Sequence, residues 1–163
     1  MKLRNKLLIF SLAFLCACGF QLRGTNLETL HGSKFYIKPS GDHALAREVK
    51  KQLAISDITV VETAQNADYT IELGHEEFDR KVLSVSAETG KVEEYELLYT
   101  STLTVTDAAG KKLVTNDPLT AQRDFTFDQD TVLGKYDEEK KLRDEIRQYV
   151  AENIVRRLPY ITR

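Results

Sequence analysis

Hydrophobic and polar positions along this chain follow two rhythms, one of period two and one of helical period, behind a separate apolar run at the start. Lys34-Phe35-Tyr36-Ile37-Lys38 alternates and ends at Pro39, which predicts a short strand. Ser40-Gly41-Asp42 supplies caps for a helix from about His43 to Ala54, with Leu45, Ala46, Val49 and Leu53 at helical spacing. Ile58–Val61 reads as a second strand, and Thr63–Asp68 as polar turns. Tyr69, Ile71 and Leu73 then share a face, after which the phase breaks, and a bulge or bend near Glu76–Lys81 is expected. Ala87–Lys91 is a hairpin turn with Gly90 for a positive φ.

The next strand carries the cleanest pattern. Tyr95, Leu97, Tyr99, Leu103 and Val105 point one way, and Glu94, Glu96, Thr100, Thr102, Thr104 and Thr106 the other. That is a sheet with one packed face and one polar face. Asp107–Gly110 makes a second turn, Lys111–Thr115 returns, and Pro118 marks an edge, a bulge or a break. Leu119, Ala121, Phe125 and Phe127 share a face with Arg123. From about Tyr136 the period becomes helical, with Leu142, Ile146, Tyr149, Val150, Ile154 and Leu158 in a stripe that ends at Pro159. The expected fold is α+β, with two helices packed on one face of a mostly antiparallel four- to five-stranded sheet.

The start of the chain changes the compartment. Lys2, Arg4 and Lys6 precede an eleven-residue apolar run, Leu7–Ala17, broken only by Ser11. A bilayer-spanning helix needs about 20 residues, so this is the plan of an export signal. It ends in Leu15-Cys16-Ala17-Cys18, which resembles the bacterial lipoprotein box, where the cysteine receives a diacylglycerol and, after cleavage, an N-acyl chain such as palmitate. Cys18 fits; Cys16 would place Phe14 and Leu15 at the small positions. The alternative is a secreted protein whose two cysteines can pair. The expected division is a signal peptide at 1–17, a lipidated tether and lead-in at 18–33, and a single domain at 34–163. Processing leaves 146 residues with 20 basic and 25 acidic side chains, a charge of −5. No basic field argues for nucleic acid. The one remaining cysteine is the lipidated one, so no disulfide is expected. Gly19 follows Cys18, not the aspartate that often retains such lipoproteins at the inner membrane, so the resemblance implies the outer membrane.

Nothing in the chain assembles catalytic chemistry. His31, His43 and His75 are scattered, and His75-Glu76-Glu77 lacks the second histidine of a zinc-protease helix. No nucleophile elbow or phosphate-binding glycine loop is present. The acidic runs at Glu93-Glu94 and Asp137-Glu138-Glu139 read as a solvated strand start and a helix N-terminus. The expectation is a non-enzyme with no catalytic residues, no metal ligands and no cofactor.

Cys18-Gly19-Phe20-Gln21-Leu22-Arg23-Gly24 resembles the start of the LptE family of lipopolysaccharide-assembly lipoproteins. The similarity continues through Glu93-Glu94-Tyr95-Glu96-Leu97, Arg123-Asp124-Phe125, Leu133-Gly134-Lys135 and Arg156-Arg157-Leu158-Pro159. The resemblance implies a protein anchored in the periplasmic leaflet of the outer membrane. It would plug the LptD β-barrel, help it assemble, and bind lipopolysaccharide on its way to the cell surface. It also implies a basic position just before the last helix, matched by Lys135, which lies near a helix N-terminus where anions are favoured. At the hairpin tip, where some relatives place an arginine, this chain has Ala87-Glu88, and Lys91 is the substitute. Arg80, Lys81 and Arg123 complete the candidate lipopolysaccharide-binding cations; the plain alternative for each is a solvated surface charge. The competing readings are a free periplasm-facing lipoprotein that binds a small ligand or cell-wall polymer, and a lipid-anchored hydrolase.

Overall fold

The computed structural model describes residues 27–38, 44–126 and 132–163, with side chains from residue 138 onward in the last segment. The heptad that Cys18 opens and Phe127 lie outside the described residues. The strands are β1 (Lys34–Lys38), β2 (Thr59–Val61), β3 (Tyr69–Leu73), β4 (Glu77–Val85), β5 (Val92–Asp107) and β6 (Lys112–Thr126). The helices are α1 (Ala44–Ile55) and α2 (Val132–Ile161), with short 3-10 turns at Leu27–Leu30 and Ala64–Asn66. No helix among the described residues is long and apolar enough to cross a membrane.

The α+β class and the two helices are as the pattern predicts, but the sheet is not mostly antiparallel with four to five strands. Among the described residues it is mixed and six-stranded. β1 runs parallel to both β2 and β3, whereas β3, β4 and β6 all run antiparallel to β5. The cause is α1, which carries the chain back between β1 and β2; parallel neighbours need such a crossover.

β5 is the spine. β6 lines one of its edges throughout, from Glu94↔Thr126 to Thr106↔Lys112. β3 and β4 together line the other, β3 against Leu103–Asp107 and β4 against Val92–Thr100. They amount to one long strand interrupted at Gly74-His75-Glu76. Gly74 keeps the ladder going, donating its N–H to the Thr102 carbonyl at 2.8 Å and accepting from the Ser101 hydroxyl at 3.1 Å. The broken phase therefore has two sources, this interruption and register shifts between Val82 and Val85. Pro118 sits inside β6, an edge strand, where its missing donor is tolerated. Asp107 closes the β5–β6 turn by accepting the Ala109 and Lys111 N–H groups at 2.9 Å each, and Gly110 takes φ +82°.

One hydrophobic cluster joins the sheet to both helices. Phe35, Ile37, Ile71, Leu73, Leu97, Tyr99, Leu103, Val105, Leu119 and Ala121 face Leu45, Val49 and Leu53 of α1 and Ile146, Val150, Ile154 and Leu158 of α2. Leu30 belongs to the same cluster, so the folded body reaches back to the Leu27–Leu30 turn. Tyr149 leaves the expected stripe and is 42% exposed. α2 also continues past Pro159 to Ile161. The proline removes only one donor, and the Thr162 N–H and hydroxyl both reach the Leu158 carbonyl, at 3.0 and 2.9 Å.

Candidate functional site

The sheet face opposite the helices is built by alternation. Every second residue of β5 that avoids the core is Glu96, Leu98, Thr100, Thr102, Thr104 or Thr106. Register puts Thr120 beside Thr100, Gln122 beside Leu98, Thr70 beside Thr106 and Glu72 beside Thr104. On the other side of β5, Glu77 stands beside Thr100 and Asp79 beside Leu98. The face thus carries a row of hydroxyls and an amide, groups that both donate and accept hydrogen bonds, flanked on the β3–β4 side by the acids Glu72, Glu77 and Asp79. Thr104 is the one drawn inward: its hydroxyl accepts the Asn116 N–H at 3.0 Å, holding Asn116 at φ +49°. Behind this face Tyr99, Phe35, Leu97 and Leu103 are fully buried.

The helix-facing side carries the chemistry that has no local sequence signature. Glu76 sits in the interruption between β3 and β4, its side chain only 2% exposed. One carboxylate oxygen accepts the Leu45 N–H in the first turn of α1 at 2.9 Å, and the other accepts from Arg147 Nε at 2.8 Å. A single carboxylate thus ties the sheet to both helices. Asp144 takes the other side of the Arg147 fork at 2.9 Å. Burial lowers the Arg147 pKa, but the hydrogen bonds and charges of Glu76 and then Asp144 outweigh it and hold the guanidinium above its ordinary range.

Next to this link, Arg143 and Arg147 lie over the Phe78 ring, at 4.7 and 5.0 Å from its centroid, and Phe78 meets Tyr99 edge-on at 4.9 Å. Arg80 of β4 lies 4.9 Å over Tyr95, which stacks on Phe125 at 5.7 Å. Glu139 serves both Arg80, at 3.4 Å, and Arg143, at 2.7 Å. Positions 139, 143 and 147 are four apart and form one stripe on α2.

The five candidate cations are not one cluster. Arg80 and Arg123 are both opposite Leu97, one on each side, and point to the helix side. They lie on opposite flanks of α2, Arg80 against Glu139 and Arg123 5.1 Å over Tyr149. Lys81 is on the other face, opposite Glu96. Lys91 is in the β4–β5 turn, where its carbonyl accepts the Ser86 N–H at 2.7 Å. Lys135 lies in the first turns of α2, and its side chain is outside the described residues. Glu76, Glu139, Arg143 and Arg147 were missed by sequence reasoning; the four-residue spacing on α2 was the only available signal. Among the described residues no three His, Cys, Asp or Glu side chains stand together as metal ligands.

Comparison with known proteins agrees with this architecture. The family model described as LptE, lipopolysaccharide-assembly, matches residues 27–158. The LPS-assembly lipoprotein LptE of Pectobacterium atrosepticum is 29% identical over 157 residues, covering 93% of this chain and 83% of its own. The solution structure of lipoprotein B from Nitrosomonas europaea aligns with TM-score 0.71 at 24% identity, over 88% of this chain and 92% of its own. The crystal structure of rare lipoprotein B from Shewanella oneidensis aligns with TM-score 0.67 at 26% identity, over 78% and 94%.

Proposed function

The chain belongs to the LptE family of lipopolysaccharide-assembly lipoproteins, and from that premise we propose that it plugs the LptD β-barrel, helps it assemble and binds lipopolysaccharide in transit. Acyl chains on Cys18 hold it in the periplasmic leaflet of the outer membrane, where two or more chains give stable anchoring. It performs no catalysis.

The observation that carries this reading is the open hydroxyl face. A large barrel lumen is polar, and a plug must offer it groups that hydrogen-bond without demanding a counter-charge. Thr100, Thr102, Thr106, Thr120 and Gln122 do so from a face that neither helix covers. Lipopolysaccharide brings phosphates and carboxylates to an acidic protein, so local cations must meet them. Lys135, Lys91, Arg80, Lys81 and Arg123 are those positions. Because they lie apart, they engage separate groups of the ligand.

Site-specific photo-crosslinking in cells from positions 100, 102 and 106 tests the plug. The expected product joins this chain to a large outer-membrane barrel. Crosslinks to soluble material alone would support a free periplasmic lipoprotein. Depletion that left the barrel and surface lipopolysaccharide unchanged would overturn the proposal.

A further inference from the structure

Glu139 is in an unusual position for an ion-pair partner. It is one carboxylate, 19% exposed, shared by two arginines from different elements. Arg143 grips a single oxygen of it with Nε at 3.0 Å and Nη2 at 2.7 Å, while Arg80 reaches the other oxygen with one long contact of 3.4 Å. Both guanidinium groups lie over aromatic rings, Arg143 over Phe78 and Arg80 over Tyr95. Those contacts persist whatever anion occupies the forks. Arg147, the third arginine of the group, has Glu76 and Asp144 for itself. Beside Arg80 on β4 are two exposed apolar side chains, Val82 at 47% and Leu83 at 44%. Cations next to bare apolar surface suit an amphiphilic anion better than a free ion.

We propose that Glu139 is a resident counter-ion that stands in for a phosphate of bound lipopolysaccharide, and that the ligand displaces it from Arg80 and Arg143. The inference rests on the lipopolysaccharide reading above and adds a residue that opposes binding. A phosphomonoester carries about 1.5 to 2 negative charges at pH 7 against one on a carboxylate, and its three oxygens can satisfy two arginine forks at once. The stacked guanidinium groups are already positioned, so the exchange costs little ordering. Before the ligand arrives, Glu139 keeps two half-desolvated cations from an unpaired state.

The test uses the full-length processed lipoprotein in detergent, with purified lipopolysaccharide and the same material dephosphorylated with hydrofluoric acid as probes. Glu139→Gln keeps the shape and an acceptor but removes the charge. It is expected to tighten binding of intact lipopolysaccharide about threefold to fivefold, the scale of one exposed ion pair, with no gain on the dephosphorylated probe. Arg80→Gln, at a half-exposed surface position, is expected to weaken binding by a similar factor and to abolish the gain from Glu139→Gln when the two are combined. Unchanged or weaker binding by folded Glu139→Gln, or an equal gain on both probes, would overturn the inference while leaving lipopolysaccharide binding intact. Wild-type protein that bound neither probe would bring down the underlying functional reading as well.

Discussion

Glu76→Ala is expected to destabilise the fold by about 3 kcal/mol, because one buried carboxylate serves both helices. The first loss is the acceptor for the Leu45 N–H at 2.9 Å, a donor in the first turn of α1; losing such a partner costs about 1 kcal/mol. The second is the Arg147 pair at 2.8 Å. Stripping one partner from a fully buried pair costs about 3–5 kcal/mol. Arg147 keeps Asp144 and is 18% exposed, so about 2 kcal/mol of that range applies here. For a domain of this size the total corresponds to a drop in Tm of roughly 6–12 °C. Urea unfolding of wild type, Glu76→Ala and Glu76→Gln measures it. The glutamine variant retains an acceptor for Leu45 and loses only the charge, so its midpoint should fall between the other two. A loss below about 1 kcal/mol for alanine, the scale of a surface pair, would refute the keystone role. The pH dependence follows from the sign of the Arg147 shift. Its folded pKa is raised, so the stability it adds is fully present below the unfolded value and is lost only as pH rises through the raised folded one. From neutral to moderately alkaline pH the difference between wild type and Arg147→Met should therefore stay constant; a difference that shrank over that range would contradict the assignment.

Gly74→Ala should cost about 1–3 kcal/mol by overpacking, since a Cβ there would meet Thr102 Oγ1 at 2.2 Å and the Thr102 backbone nitrogen at 3.2 Å. Adding Thr102→Ala should recover most of it in the same unfolding assay. Leu97→Ala, at a fully buried position on the spine strand, should cost about 2–5 kcal/mol, read as a shift in urea midpoint at constant slope. Cys18→Ala is expected to leave the protein unacylated and with its apolar leader still attached, checked by mass spectrometry of the N-terminus.

What was legible in the chain was whatever repeats locally. The alternation from Tyr95 to Val105 identified the packed face of β5, and Leu97, Tyr99, Leu103 and Val105 are all fully buried. The stripe Leu45, Val49 and Leu53 fixed the buried side of α1 in the same way. The parallel placement of β1 between β2 and β3 was not legible, because strand order is set by contacts between segments far apart in sequence. Gly134 and the acidic residues that follow blur the apolar period, so the expected start of α2 at about Tyr136 falls one turn inside the observed start at Val132. Tyr149 keeps helical spacing with the core, yet it turns its ring to Arg123 at 5.1 Å. The functional chemistry was the least legible part. Glu76 lies beside Glu77 between two β segments, and its partner Arg147 is 71 residues away; nothing near either in sequence reveals the pairing. Arg80 and Arg123 were visible as cations, but their separation by α2 is a fact of packing alone.

The two faces of the sheet also differ in how they should respond to salt, which separates barrel docking from lipopolysaccharide binding in a single preparation. Arg80 and Arg123 sit on the helix side, Lys91 in the hairpin turn and Lys81 on the other face opposite Glu96, whereas the hydroxyl and amide row of that face is Thr100, Thr102, Thr106, Thr120 and Gln122. Raising ionic strength from 0.1 to 1 M shortens the screening length from about 10 to about 3 Å. Contacts between arginines and phosphates at a half-exposed surface weaken under that change, while hydroxyl and amide hydrogen bonds to a polar lumen carry no net charge to screen. Lipopolysaccharide bound to the isolated lipoprotein should therefore be released progressively as salt rises, and the complex with the barrel should survive the same wash. Size-exclusion chromatography at the two ionic strengths, with lipopolysaccharide quantified in the protein peak, reads both at once. Dissociation of the barrel complex at high salt would place charged pairs, rather than the hydroxyl face, at the centre of that interface. Retention of lipopolysaccharide at 1 M salt would mean that apolar contacts such as those at Val82 and Leu83, and not the arginines, hold it.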